Sequence, residues 1–327
     1  MHCRHLITLA TASATLLCAT PCALAQTAWP SKPIRLLIPF APGGTTDIVA
    51  RIVGDKLGRE LGQPVIIENR AGGGGTVGAD ALAKSAPDGY TLGMATVSTI
   101  ATNPATNPKT PYDPVKDFTP ITNLVNVPNV MTVNPVKLPV HDMKELIALL
   151  KKNPGKYSYA SSGSGGISHL DGEAFKVMTG TFLVHIPYRG SGPALNDTIA
   201  GQVDAQFDNL PSSLPHIKGG KLKAIAVMSD KRVDALPEVP TFAEVGLKDV
   251  NNMAWYGLVG PAGLPRDVVQ KVHAAAVKTL HDADIKKRLA DGGSLVDGGT
   301  PEQFVQKMAR EIALRKEIVK KQKIVLE

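Results

Sequence analysis

The sequence predicts an α/β protein of two lobes, each a doubly wound sheet flanked by helices, with the chain crossing twice between them above a cleft. Three observations carry this. Short apolar runs alternate with helical patterns along most of the 327 residues, the βαβ signature of parallel sheets. A Pro/Asn-rich passage, "ATNPATNPKTPYDPVKDFTP", reads as a loop leading to a crossover, and a second series begins near "NVMTVNP". The last part is helical at 265–280, 283–291 and 301–320, with no strand pattern between except "SLVDG", so it is expected to pack back on the first lobe. On this division 26–125 and 229–327 form lobe 1, 126–228 form lobe 2, and 1–25 are a signal peptide.

"IRLLIPF" reads as a buried strand, and the helix after it puts Val49, Ile52, Val53, Leu57 and Leu61 on one face until Gly62 stops it. "PVIIEN", the helix "GADALAKSA" and the strand "TLGMAT" complete a βαβαβ unit. In the second series "HDMKELIALLKKNPG" is a helix with Asp142 as N-cap and Glu145 three residues on. "KYSYASSG", "LVHIPY", "VDAQFD" and "LKAIAVMS" are strands with helices between, and "WYGLVGPAGLP" is a strand that runs into a loop. Thr300 caps the last helix, with Pro301 at its first position and Gln303 closing a capping box.

The N-terminus carries Arg4 and His5, then an apolar run too short to span a bilayer, then Ala23 and Ala25 as a cleavage signal. Cys3, Cys18 and Cys22 all fall inside this peptide, so the mature chain is expected to lack thiols, disulfides and cysteine metal sites. Export and cysteine-free composition suit the bacterial periplasm. The net charge is +7, but aromatics are only 5% and form no stacking series, which argues against nucleic acid. Seven of the cations lie in "KMAREIALRKEIVKKQK", a solvated helix face.

Three glycine loops follow strands. In "PFAPGGTTD", Gly43 and Gly44 precede a helix N-terminus, where unpaired N–H groups and the dipole favour an anion. A tight turn with no ligand fits the same residues. Asp47 would repel an anion placed too close, so it is read as the organiser of the loop. In "ENRAGGGGTVGA", Gly73, Gly75 and Gly78 fit G-x-G-x-x-G, but the next strand ends without the acid that a ribose needs, and a structural turn is the better reading. In "SSGSGGISHLDGEAF", Ser161, Ser162, Ser164 and Ser168 offer hydroxyls, and Gly163, Gly165 and Gly166 offer amides. Two such helix starts facing one cleft favour a carboxylated ligand.

Catalytic and metal chemistry are poorly supported. Ser164 lacks the G-x-S-x-G frame, and the adjacent Ser168 and His169 cannot face each other as nucleophile and base. His169 and Glu173 have no partner cluster for a metal, so neither a metal nor a cofactor is expected. Asp208, at a strand end, would suit a hydroxyl, an amine or a water, or cap the helix near Pro211. Arg189 would suit a carboxylate clamp or a surface ion pair.

These blocks, from "WPSKPIRLLIPFAPGGTTDIVAR" through "LGQPVIIENRAGGGG", "APDGYTL", "VHIPYRGSGPALNDTIAGQVDAQFD", "LPEVPTFAEVG" and "GTPEQF", resemble the Bug-type periplasmic receptors of tripartite tricarboxylate transporters. The resemblance covers essentially the whole mature chain. It implies a Venus-flytrap fold, like the type II periplasmic binding proteins. The implied ligand is a di- or tricarboxylate, an acidic amino acid or an aromatic acid. The implied partners are the large and small integral membrane subunits, with the receptor a monomer and not an enzyme. Carried onto this chain, it places Phe40, Pro42, Gly43 and Gly44 on one carboxylate. Ser162, Gly163, Ser164, Gly165 and Ser168 face it from lobe 2, and Ser98, Arg189 and Asp208 line the pocket. Two alternatives remain at this level: a ligand-sensing receptor for a membrane signalling protein, and a hydrolase using Ser164 and His169.

Overall fold

The structure, a computed structural model, describes residues 29–322. The expected signal peptide with its cut after Ala25, and all three cysteines, lie outside them.

In the first lobe β1 (Ile34–Ile38), α1 (Thr45–Leu61), β2 (Val65–Asn69), α2 (Thr76–Ala83) and β3 (Thr91–Thr96) follow in turn, and β1 pairs in parallel with both β2 and β3. α1 buries Val49, Val53, Leu57 and Leu61, four apolar residues at helical spacing. Gly62, at φ 77°, ends it by directing its N–H to the carbonyls of Arg59 and Gly58. The Pro/Asn-rich passage is not all loop. A helical turn, Ser98–Thr102, runs into α3 (Asn103–Thr106), and β4 (Phe118–Val127) begins before the passage ends. β4 lacks apolar alternation because its polar residues are buried and paired. Thr122 Oγ1 donates to the Gly299 carbonyl at 2.7 Å, and Asn123 Nδ2 to Asp297 Oδ2 at 2.7 Å.

After Pro128 the chain enters the second lobe. There β5 (Asn129–Val133), α4 (Met143–Lys152), β6 (Ser158–Ser161) and α5 (Ile167–Thr179) are followed by β7 (Val184–Pro187), α6 (Ser191–Ile199), β8 (Ala205–Asn209), α7 (Leu210–Lys218) and β9 (Lys223–Met228). The Asp142 cap forms, accepting from Glu145 N at 2.8 Å. β10 (Ala254–Pro261) returns to the first lobe and leads to α8 (Arg266–His281), α9 (Ala283–Asp291), β11 (Leu295–Val296) and α10 (Pro301–Gln322). The capping box at Thr300 forms in both directions, at 2.8 and 3.3 Å.

The sheets are mixed rather than wholly parallel. The first has the order β11-β4-β10-β3-β1-β2, the second β7-β6-β8-β5-β9. β10 runs antiparallel to β3 and β4, and β5 antiparallel to β8 and β9. β5 and β10 are the strands that the crossings place, which the βα rhythm alone does not register, and β11 adds an antiparallel edge against β4.

Two large apolar clusters fill the lobes. The packing corrects the expectation that all of 229–327 sits with lobe 1. Phe242, Leu247 and Val250 join the second cluster, so the chain stays with lobe 2 until it crosses again near 251–253. α10, about 33 Å long by its 22 residues, spans both lobes. Phe304 and Met308 pack in the first cluster, and Ile318 packs in the second. Arg315, buried on the same helix, donates to Glu311 at 2.7 Å, and Glu311 also accepts from Trp255 Nε1 at 3.1 Å.

Candidate ligand-binding site

The lobes meet around a narrow cavity of 20 Å³, room for about one water. Lobe 1 supplies Phe40, Gly44, Thr45 and Thr46 from the first loop and the start of α1, and Thr96, Val97 and Ser98 from the end of β3. The returning strand supplies Ala254, Trp255 and Tyr256. Lobe 2 supplies Ser162, Ile167, Ser191 and Asn209.

These positions have a common feature. Gly44 is the N-cap of α1, Ile167 and Ser191 are the first residues of α5 and α6, and Asn209 is the N-cap of α7. Four helices of nine residues or more therefore aim their N-termini at one small space. Each carries about half a positive charge there. No Lys, Arg, Asp or Glu lines the wall. Backbone dipoles favour an anion here, and Ser, Thr, Asn and Tyr groups line the wall.

The first loop is tied from below. Asp47, nearly buried, accepts from Gly43 N at 3.1 Å and from Asn69 Nδ2 and Arg51 Nε at 3.0 Å. Asn69 Nδ2 also donates to the Phe40 carbonyl at 3.0 Å. Burial alone would raise the Asp47 pKa, but the bonds from Arg51, Gly43 and Asn69 outweigh it and hold the carboxyl below its ordinary value. Gly43 itself sits at φ 84°, where a side chain would be strained.

The loop of the second lobe is tied by neutral groups. Ser168 Oγ accepts from Ser162 N at 2.9 Å and bonds Ser162 Oγ at 2.9 Å. Behind it His169 and His185 stack with ring centroids 3.7 Å apart. His169 Nδ1 accepts from Gly165 N at 3.2 Å, and His185 Nε2 bonds Ser161 Oγ at 2.6 Å. Burial lowers the His169 pKa to about 4 and, with His169 and Lys176 adding to it, that of His185 to about 3. Both rings are neutral at ordinary pH.

Direct bonds cross the cleft. Ile167 N donates to Ser98 Oγ at 3.0 Å, Thr45 Oγ1 and Ser212 Oγ are 2.8 Å apart, and Ala41 N donates to the Arg189 carbonyl at 3.0 Å. Tyr256 OH donates to Asn209 Oδ1 at 2.6 Å. This is a closed arrangement, in which groups facing the cavity from one lobe bond groups of the other.

Of the residues singled out from sequence, Phe40, Gly44, Ser98 and Ser162 line the cavity. Pro42 and Gly43 lie beside its wall, against α6. Gly163 abuts Gly74 of lobe 1, while Ser164 and Gly165 line a separate interlobe cavity of 210 Å³ with Asn103 and Thr106. Ser168 backs Ser162 without lining the cavity, so none of Gly163, Ser164, Gly165 and Ser168 stands where it was expected, and two further expectations are corrected. Asp208 is buried beneath the wall, where its Oδ2 accepts from Ser212 and Ser213 at 2.8 and 2.7 Å, anchoring the first turn of α7. Successive strand residues point to opposite faces, so its neighbour Asn209 reaches the cavity instead. Burial raises the Asp208 pKa against the opposing bonds of Ser191, Ser213 and Ser212. Arg189 is exposed, and it contributes its carbonyl rather than its guanidinium to the interlobe contact.

Sequence reasoning missed Thr45, Thr46, Ser191, Tyr256 and Asn209. The first three were legible as first-turn residues of helices that follow glycines. Tyr256 and Asn209 depend on how the crossing strands meet, which carries no local signal. The hydrolase pair is not assembled: Ser164 faces the side cavity, and His169 Nδ1 is engaged by Gly165. Among the described residues no group of three or more His, Cys, Asp or Glu side chains is arranged to hold a metal, and no helix is long and apolar enough to cross a membrane.

Comparison with known proteins agrees with this architecture. A family model described as "Tripartite tricarboxylate transporter family receptor" matches residues 49–324. Protein BugT of Bordetella pertussis is 37% identical over 285 residues, 87% of each chain. A solved periplasmic transporter superposes with a TM-score of 0.90 at 53% identity, covering 92% of this chain and all of the other. MatC from Rhodopseudomonas palustris, solved with bound malate, superposes at 0.85 with 33% identity, covering 89% of this chain and 100% of its own. The chain therefore belongs to the receptor family of the tripartite tricarboxylate transporters.

Proposed function

We propose that the protein is a non-catalytic periplasmic receptor. It captures a small organic carboxylate between its lobes and delivers it to the large and small membrane subunits of a tripartite transporter. The observation that carries this reading is the convergence of four helix N-termini on one cavity free of charged side chains. Such a site suits an anion whose oxygens take many directed N–H and O–H bonds. The malate held by MatC is an anion of this class. Thr45, Thr46, Ser98 and Gly44 would hold the carboxylate from one lobe, and Ser162, Ser191 and Asn209 would meet it from the other.

At 20 Å³ the cavity admits no organic acid, so the lobes must part for entry. A ligand that bonds both lobes then favours closure by its differential affinity for the closed state. The sequence-derived cut after Ala25 supplies the export this role requires.

A thermal-shift and calorimetric screen of the mature protein tests the reading. Malate, succinate, citrate and benzoate would be compared with glucose and zinc. At least one organic acid is expected to raise the melting midpoint and to bind with a stoichiometry of about one. Binding of glucose or zinc, with no organic acid bound, would refute it.

A further inference from the structure

Gly192 belongs to no wall of the cavity, yet it sits directly against the loop that supplies one. It is the second residue of α6. A Cβ built on it would lie 2.1 Å from the Pro42 carbonyl oxygen and 3.4 Å from Gly43 Cα. Beyond its chain neighbours and its own helix backbone, the three nearest atoms all belong to the first loop of lobe 1. Beside it Ala41 N bonds the Arg189 carbonyl at 3.0 Å, so the two backbones are in direct contact.

Local physics does not ask for glycine here. Gly192 is absent from the positive-φ positions, and inside a helix alanine is the better former. A second glycine contact lies across the cleft, where a Cβ on Gly74 would meet the Ser164 carbonyl oxygen at 2.4 Å. Gly74, however, sits at φ 60°, so its own backbone conformation already favours glycine. Gly44, at φ -85°, is also met only from the other lobe, but loosely, at 3.2 Å from Ser191 Cβ; at Gly192 the closed cleft alone excludes a side chain outright.

We infer that Gly192 is a positioning residue for ligand capture: its missing side chain lets α6 seat on the Pro42–Gly43 backbone, and this contact sets how far the cleft shuts. The inference rests on the receptor reading for its link to affinity, but the closure itself is measurable without a ligand. Residues after 25 contain no cysteine, so cysteines introduced at the exposed Val77 of lobe 1 and Val184 of lobe 2 accept two unique spin labels. Dipolar distance measurements on the labelled mature protein, alone and with malate, succinate and citrate in turn, report opening and closing.

The unsubstituted pair is expected to show a short-distance population. Gly192→Ala is expected to lose it while keeping its circular dichroism and a melting midpoint no lower than the parent. Any of the acids that binds the parent is expected to bind the variant at least tenfold more weakly, through faster dissociation. The inference is overturned if Gly192→Ala reaches the parental short distance, if its melting midpoint falls, or if the parent shows no short population under any condition. A parent that closes but responds to no carboxylate would count against the receptor reading alone, since the effect of Gly192→Ala on closure would still be read.

Discussion

The two loops that face each other across the cavity do similar work with opposite electrostatics. The first, residues 39–44, is held by an ionised carboxylate, Asp47, paired with Arg51 and Asn69. The second, residues 161–166, is held by serine hydroxyls and two stacked neutral histidines. Both arrangements fix the loop that leads into a helix N-terminus without placing a charged side chain in the cavity. The difference lies in what breaks them: the first loop depends on a proton staying off, the second on two protons not being taken up.

The largest effect is expected where the first loop loses its anchor. Asp47→Ala takes from Gly43 N its acceptor, leaves Asn69 Nδ2 only the Phe40 carbonyl, and leaves Arg51 only Asn69 Oδ1. A loss of about 2 kcal/mol in denaturant unfolding is predicted, because Gly43 N loses its acceptor and the loop loses its charged tie. A loss within experimental error would mean that the loop is shaped by its prolines and glycines alone.

Next comes the acid response of the second loop. His169 has a folded pKa of about 4 against an ordinary 6.5, so the unfolded chain takes the proton first. Its stabilising contribution is complete above about pH 6.5 and is lost progressively as pH falls toward 4. His185, at about 3, acts in the same direction over a wider window. Asp171, raised to about 7 by burial, acts with the opposite sign, so the comparison is between variants. His169→Asn keeps an acceptor for Gly165 N and removes the titration. It is predicted to recover on the order of 2 kcal/mol of the stability lost between pH 6.5 and 4, read from urea midpoints at each pH. Asp47 marks that window only at its acid end, since its pKa lies below its ordinary 3.8 and its contribution is lost as pH falls through that value. Identical pH slopes in parent and His169→Asn would remove the histidines from the account.

The smallest effects are predicted at the two residues displaced from the site. Asp208→Asn keeps an acceptor for Ser212 and Ser213, and the carboxyl it replaces is already pushed by burial toward its neutral form. Carboxylate affinity by calorimetry should stay within about threefold, a change worth less than about 1 kcal/mol. Arg189→Ala should change it less still, because only the backbone of that residue meets the other lobe. A tenfold loss at either would restore it as a ligand contact.

The first loop, the lobes and the helix caps were legible because their signals are local: a glycine pair before an amphipathic run, a capping box, an alternation of strands and helices. β4 was not, since its pattern is broken by Thr122 and Asn123, which are satisfied by residues more than 170 positions away. The placement of α10 was half legible. Its apolar spacing announced a helix, but the partition of Phe304 to one core and Ile318 to the other depends on where the lobes meet. At β8 the right strand end was identified and the wrong face chosen, because a one-residue step in a strand reverses the direction of the side chain. Gly192 carried no signal of its own, for its reason lies wholly in the other lobe.

The central claim is that converging helix N-termini select an organic anion without help from a basic side chain. Mass spectrometry of the small molecules released from protein purified out of the periplasm tests it most directly. The account predicts a released compound bearing at least one carboxyl group, and none from Thr45→Pro, a variant that removes the Thr45 hydroxyl and first-turn N–H of α1. Release of a neutral sugar or a metal ion from the unsubstituted protein would contradict it.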